Sequence, residues 1–299
     1  METAVELGDG DTSASTRLRL DIAYDGTNFK GWGRQPGLRT VQGVLEDALA
    51  TVFGRFGEPP RLTVAGRTDA GVHALGQVAH LDITAEQQVG LRRSRPRSGP
   101  AALAHRLNGI AGLDTDVWVS RSSIAPPGFD ARFSAIWRRY EFRVADEDAE
   151  RNPLERNGTL WLSGALDAAA MKEAAQALRG LHDWASFCKS RDGATSVRTL
   201  QDFSWERSSS GVLIANVKAD AFCHSMVRAL VGATIAVGQG KLTLTRLLQL
   251  RDERQRTSEF KVMPAKGLTL MEVGYPADAG LAERAEQTRA RREPLDGGD

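Results

Sequence analysis

The sequence predicts an α+β fold made of two similar halves, each a sheet covered by helices on one face. Segments in which apolar residues alternate, as in half-buried strands, recur along the chain. Segments with the apolar spacing of amphipathic helices lie between them. This order fits two α+β halves better than a doubly wound parallel sheet. We therefore expect a cleft between the halves, where a substrate would bind.

The first half opens with a strand, a loop and a helix. Residues 17–24 (RLRLDIAY) alternate as in a strand, and residues 40–54 form a helical pattern that Thr40 can cap and Gly54 can end. The remaining predicted elements of this half are strands over 61–65 and 74–83, a helix over 100–110 and a strand over 115–123.

The second half repeats the alternation. Its predicted elements are a strand over 132–144, a helix over 166–180, strands over 196–207 and 211–219, helices over 224–238 and 244–252, and a final strand over 267–275. We expect a mobile segment over 1–15, the two halves over 16–124 and 125–278, and a mobile charged tail over 279–299.

Composition indicates a globular protein of the cytoplasm. The chain has 299 residues, of which 41% are hydrophobic, and can bury a substantial core. It contains neither an apolar run of about 18 residues nor a secretory signal, so we expect no membrane association. Two cysteines do not make a disulfide scaffold, and we expect Cys188 and Cys223 to be reduced. The net charge of +1 does not indicate a nucleic-acid binder, but arginines cluster at 92–99 and 137–143.

The loop GRTDAGVH over residues 66–73 is the strongest candidate for catalysis. Small residues surround Asp69 and leave room for a ligand to approach the backbone. Arg67, two positions away, would keep a neighbouring carboxylate ionised, and such an acid can serve as nucleophile or base. The alternative is that Asp69 only forms a turn.

Two further segments carry candidate binding residues. In WRRYEFR (137–143), strand alternation places Arg138, Tyr140 and Phe142 on one face, so that Tyr140 can stack on a base. A simple cross-strand aromatic pair is the alternative. Arg228 lies in an apolar helix and needs a carboxylate partner there, unless it extends from the helix edge into solvent.

Neither a metal nor a nucleotide cofactor is expected. The five histidines show no ligand spacing with the cysteines, and no phosphate-binding GxxxxGK[ST] motif is present. His73 begins a strand beside the reactive loop, where a packed or hydrogen-bonded role is more common than a general base.

Five ordered motifs resemble the TruA family of tRNA pseudouridine synthases. They are AYDGTNFKGWGRQ, GRTDAGVHALGQVAH, APPGFDARFSAIWRRYEF, AFCHSMVRALVG and PAKGLTLMEVGYP. The resemblance implies two ferredoxin-like (RRM-like) halves that form a central, mostly antiparallel sheet flanked by helices, with the active-site cleft between them. It also implies a homodimer without metal or cofactor that acts on uridines 38 to 40 of the tRNA anticodon arm.

The same resemblance assigns roles to four residues. Asp69 matches the essential aspartate, Tyr140 the tyrosine that stacks on the substrate, and Arg67 and Arg228 the arginines beside the aspartate. It also supplies Asp69 as the carboxylate partner of Arg228. The chain departs from the family at Gly33, where a glutamine is expected, at the residue before MVR, where a second histidine is usual, and in a lengthened basic loop over 92–99.

Two other functions fit parts of the sequence. A retaining glycosidase would need two carboxylates about 5 to 5.5 Å apart, and only Asp69 has a suitable setting. A non-catalytic RNA-binding module or tRNA chaperone would use similar aromatic sheets. The combination of Asp69, Arg67 and Tyr140 favours the synthase.

Overall fold

The computed structural model describes residues 15–92, 99–112, 115–189 and 195–289. The predicted mobile segment over 1–15 lies outside these residues except for Ser15, and so does most of the basic loop over 92–99. Within the described ranges, no helix is long and apolar enough to cross a membrane.

The first half contains four strands and three helices in the predicted order. They are β1 (Thr16–Tyr24), α1 (Val41–Phe53), β2 (Thr63–Val64), β3 (His73–Ile83), α2 (Ala85–Arg92), α3 (Ala101–Ala111) and β4 (Val117–Ile124). Thr40 caps α1 as expected, since its hydroxyl accepts a hydrogen bond from the Gly43 N–H. Helix α2 was not predicted, because its first turns are rich in polar residues.

The second half adds six strands and four helices. They are β5 (Trp137–Ala145), β6 (Leu160–Trp161), α4 (Ala168–Ala177), β7 (Gly180–Asp183), β8 (Val197–Arg207), β9 (Leu213–Ala219), α5 (Met226–Gly238), α6 (Leu244–Glu253), β10 (Leu268–Gly274) and α7 (Leu281–Arg289). Helix α5 begins two residues later than predicted, because Ser225 has a left-handed backbone with φ of 66°.

All ten strands belong to one mostly antiparallel sheet, which confirms the predicted α+β fold. In the first half the strands lie in the order β4-β1-β3-β2. In the second half the corresponding strands lie in the order β10-β5-β9-β8. Each half is therefore a β-α-β-β-α-β unit with the strand order of a ferredoxin-like fold. The two units join where β3 and β10 pair in parallel.

Each half has its own apolar core, and the two cores exchange residues at the junction. Val72, from the first half, packs into the core of the second half, whereas Leu270 and Val273 of β10 pack into the first. Tyr140 contacts both cores. The junction is therefore a packed interface that fixes the halves against each other.

Two expectations are corrected. The described part of the tail predicted as mobile over 279–299, residues 279–289, instead contains α7, whose Leu281 is buried in the first core and accepts a hydrogen bond from Ser134 at 3.0 Å. Cys188 and Cys223, expected as reduced thiols, form a disulfide with Cα atoms 5.8 Å apart. Sequence separation concealed this pair, because the fold brings together two loops 35 residues apart.

Candidate active site

The loop that carries Asp69 lies between β2 and β3 and is held by the first motif of the chain. The backbone N–H of Trp32 donates to the carbonyl of Thr68 at 3.1 Å, and the backbone N–H of Gly71 donates to the carbonyl of Phe29 at 3.2 Å. Gly31 has φ of 95°, and a Cβ there would lie 3.1 Å from the Thr68 oxygen. A glycine is needed at that contact, because two backbones approach closely.

Asp69 forms an ion pair with Arg228 across the junction. Arg228 Nη2 lies 2.8 Å from Asp69 Oδ2, and Nη1 donates to the carbonyl of Met263 at 3.1 Å. Arg228 projects from the first turn of α5, and Ser225 Oγ accepts a further hydrogen bond from it at 3.0 Å. The apolar helix thus has the carboxylate partner that its arginine required.

His224 is a site residue that sequence reasoning missed. Its Nε2 lies 3.5 Å from Asp69 Oδ1, on the opposite oxygen from Arg228. The available signal was its position four residues before Arg228. The left-handed Ser225 places His224 ahead of the helix, so a helical reading of the segment could not show its direction.

Tyr140 lies beside the carboxylate at the junction of the two cores. Its ring meets Phe222 edge to face at 5.2 Å between centroids. Burial raises the pKa of the Tyr140 phenol well above its usual range, and the charge of Asp69 raises it further. The hydroxyl therefore stays protonated at neutral pH.

Arg67 does not contact Asp69 within the described part of the chain. Its side chain is exposed and lies beside Gly33, where an added Cβ would be 3.7 Å from Arg67 Nε. The expected pairing of Arg67 with Asp69 is therefore wrong for this structure, in which Arg228 forms the ion pair with that carboxylate. A side chain at position 33 would touch Arg67, and the glycine there leaves that guanidinium open to solvent.

Arg138 shares a strand face with Tyr140, as the alternation predicted, and joins β5 to the catalytic loop. Its Nη2 donates to the carbonyl of Ala65 at 2.8 Å, just before the loop begins. Its Nη1 donates to the carbonyl of Asp220 at 2.9 Å. These bonds fix the entrance of the loop relative to Tyr140.

The other arginines of the 137–143 segment are paired with acids. Arg139 lies 3.2 Å from Glu141, and Arg143 lies 2.7 Å from Glu155. Phosphate contacts by these two residues would have to compete with carboxylates, so the segment is less cationic than its sequence suggests.

The structure favours a packed role for His73. It is buried, and its Nδ1 accepts a hydrogen bond from the Gly26 N–H at 3.1 Å, beside Asp25. This bond requires an unprotonated Nδ1. Among the described residues, no group of three or more His, Cys, Asp and Glu side chains could hold a metal ion.

Comparison with known proteins identifies the family of the chain. A family model described as tRNA pseudouridine synthase matches residues 174–276. The tRNA pseudouridine synthase A of Leifsonia xyli subsp. xyli is 63% identical over 285 residues, which cover 94% of this chain and 99% of that relative. The proteins of the same name from Frankia casuarinae and Mycobacterium leprae are 51% and 46% identical, over 95% and 94% of this chain and 98% and 96% of their own lengths. The chain belongs to the TruA family of tRNA pseudouridine synthases.

Proposed function

We propose that this protein isomerises uridine to pseudouridine in the anticodon arm of tRNA, at positions 38 to 40, with Asp69 as the catalytic carboxylate. The ion pair of 2.8 Å between Asp69 and Arg228, beside the ring of Tyr140, is the observation that supports it most strongly. Tyr140, Arg67 and Arg228 are the proposed substrate-binding residues.

The reaction needs an exposed base and an ionised acid. A uridine in a stem must leave its stack, at a cost of a few kcal/mol, and a partly buried aromatic ring can offset that cost. The bond between N1 and C1′ then breaks, the uracil turns, and C5 bonds to C1′. The C5 proton leaves and N1 gains a proton, so the product is an isomer of the substrate.

Asp69 and Arg228 suit this chemistry as a unit. The guanidinium holds one carboxylate oxygen, Oδ2, while Oδ1 lies on the side of the more exposed His224. A fixed carboxylate can attack the sugar, attack the base or remove a ribose proton, and each route requires its negative charge.

Tyr140 is positioned to take part in the later proton transfers. Its protonated hydroxyl can donate a hydrogen bond to the detached uracil, whose departure as an anion creates acceptor atoms. The same ring face would hold the base while it turns.

The assembly and location belong to the same proposal. Family resemblance supports a homodimer that acts in the cytoplasm without metal or cofactor. Sedimentation of the purified protein tests the dimer, for which the expected mass is twice that of the 32.4 kDa chain.

The test uses tRNA whose uridines carry tritium at C5. Isomerisation replaces that hydrogen by carbon, so tritium released into water is the expected product. Free uracil would indicate a glycosidase, and tight binding without either product would indicate an RNA-binding module. Mapping the pseudouridines formed in the anticodon arm then tests the proposed positions.

A further inference from the structure

An exposed aromatic side chain lies among cations next to the catalytic loop. Arg151 and Lys266 lie over the Trp161 ring, and the segment between Arg151 and Trp161 carries Leu154 and Arg156. We propose that these residues, called here the Trp161 surface, bind an unpaired nucleotide of the RNA substrate, whose base stacks on Trp161. The proposal rests on the proposed function. It adds a contact with a second nucleotide of the RNA, besides the uridine that reacts.

The apolar part of the surface is open to solvent. Leu154 is 89% exposed and Trp161 is 36% exposed. Trp161 lies in the two-residue strand β6, where the pairing of β6 with β5 fixes its backbone. An indole held in this way offers a stacking face that is ready before RNA arrives, so little ordering is needed on binding.

Cations border the indole. Arg151 Cζ lies 5.5 Å and Lys266 Nζ 5.9 Å from the ring centroid. Both distances are near the outer limit of about 6 Å for a cation–π contact, so the side chains can turn towards phosphates when a base covers the ring. Arg151 also donates to the Leu162 carbonyl at 3.3 Å, and it can keep this bond while another N–H faces solvent.

The surface is positive in balance. Glu155 lies within it, but Arg143 neutralises that carboxylate at 2.7 Å. Arg151, Arg156 and Lys266 are exposed and make no ion pair with a carboxylate among the described residues. A partner with repeated negative charge and flat aromatic rings, which is single-stranded RNA, complements this composition.

The chain connects this surface directly to the active site. Lys266 follows Ala265, whose Cβ would lie 3.2 Å from a Cβ added to Gly71 of the catalytic loop. The carbonyl of Met263, two residues before Ala265, accepts the hydrogen bond from Arg228. A strand of RNA with its uridine at Asp69 can therefore reach Trp161 with a nearby nucleotide.

A second copy of the chain is the other possible occupant. In a twofold dimer built on this surface, Arg151, Arg156 and Lys266 would face the same residues of the partner. Like charges brought together at a contact oppose association. The charge balance therefore favours RNA over a second copy.

Replacement of Trp161 tests the proposal by filter binding of tRNA and by single-turnover tritium release. Trp161→Ala and Trp161→Leu should raise the Kd about 5- to 150-fold, the range expected for one stacked base, and leave the rate from saturating tRNA within about twofold. Trp161→Phe should keep most of the affinity. Trp118→Ala is the matched control, because Trp118 is a 49% exposed indole on β4, and it should bind as the parent does.

The cations give an independent measurement. Lys266→Ala and Arg151→Ala should each reduce the slope of log affinity against log salt by about one, provided that each side chain meets a phosphate. Unchanged slopes in both variants would overturn the phosphate contacts.

The outcomes separate this proposal from the proposed function. Parent-like affinity in folded Trp161→Leu, with tritium released at the parent rate, overturns only the stacking site. A parent that binds tRNA but releases no tritium overturns the proposed function, while the Trp161 variants still decide the binding site. A dimer that dissociates in Trp161→Leu assigns the surface to a second copy and overturns the RNA contact.

Discussion

The two halves share a strand order but differ in one connection, which joins β2 to β3 in the first half and β8 to β9 in the second. In the first half, residues 65–72 form the loop that presents Asp69. In the second half, residues 208–212 form a tight hairpin, closed by a hydrogen bond of 2.9 Å from the Ser208 N–H to the Val212 carbonyl. The same topology thus gives a longer loop with a candidate catalytic residue in one place and a tight hairpin in the other, because function depends on the site and not on the fold.

The halves also contribute different chemistry. The first supplies the carboxylate of Asp69, and the second supplies Tyr140, His224 and Arg228. The halves of the sheet are joined by two residue pairs between β3 and β10, directly after the loop that carries Asp69. The proposed active site therefore draws on both halves where they meet, and the following predictions test that division.

Apart from Asp69 itself, Arg228 should have the largest effect on activity. Arg228→Ala removes the cation that holds Asp69, and we expect kcat/KM to fall about 10³-fold, as for the loss of an electrostatic group in a preorganised site. The assay is tritium release from tRNA. Arg246→Ala is the control, because Arg246 also forms ion pairs with carboxylates, those of Glu253 and Glu259, but lies partly exposed on α6. A parent-like kcat/KM in Arg228→Ala would show that the second half does not activate the acid.

The next effect concerns stability and a buried ion pair of the second half. Arg207 binds both oxygens of Asp146, whose side chain is 0% exposed, at 2.8 Å each. Arg207→Ala leaves that charge unpaired and should lower the free energy of unfolding by about 3 kcal/mol. Arg17→Ala, which breaks an exposed pair with Asp82 in the first half, should cost less than about 1 kcal/mol.

The stabilisation by the ion pair of Arg207 and Asp146 should decrease in acid. Hydrogen bonds from Arg207 hold the pKa of Asp146 below its usual range. The stabilisation is therefore complete above the ordinary carboxyl pKa and is lost as the pH falls through the native pKa. Melting curves should show the parent and Arg207→Ala converging in acid. A constant gap between the two from neutral pH into acid would contradict this account.

Tyr140→Phe should separate the ring from its hydroxyl. We expect tRNA affinity to be kept, because the stacking face remains, and kcat to fall about 10²-fold through loss of a proton-transfer group. Tyr275→Phe is the control, since that hydroxyl only donates to the Ala131 carbonyl at 2.7 Å. Isomerisation by Tyr140→Phe at the parent rate would show that Tyr140 contributes only its stacking ring and no proton transfer.

His224 should have the smallest effect of the site residues. Its Nε2 is 3.5 Å from Asp69, further than the guanidinium, and the ring is about half exposed. We expect His224→Gln to lower kcat/KM about tenfold, because a screened partner contributes less than a buried one. His105→Gln, on the exposed face of α3, should match the parent. A loss of kcat/KM as large as that of Arg228→Ala would show that His224 and Arg228 matter equally to Asp69.

Sequence reasoning found the parts of the site that physical chemistry makes obligatory. An arginine in an apolar helix needs a carboxylate, and the family resemblance named Asp69, 159 residues away in sequence, as that partner. The alternation of β5 correctly placed Arg138 with Tyr140. The direction of Arg67 and the placement of His224 were not predictable, because each depends on a loop conformation. The disulfide and helix α7 depend on tertiary packing that local patterns do not contain.

Asp69→Asn tests the central claim most directly, because it keeps the size of the side chain and removes only its charge. We expect single-turnover tritium release to fall to background, while filter binding gives a Kd for tRNA within about twofold of the parent, since loss of a negative charge does not weaken contacts with phosphates. Asp82→Asn, at an exposed aspartate of β3, should be fully active. A folded, tRNA-binding Asp69→Asn protein that forms pseudouridine at a parent-like rate would contradict the account.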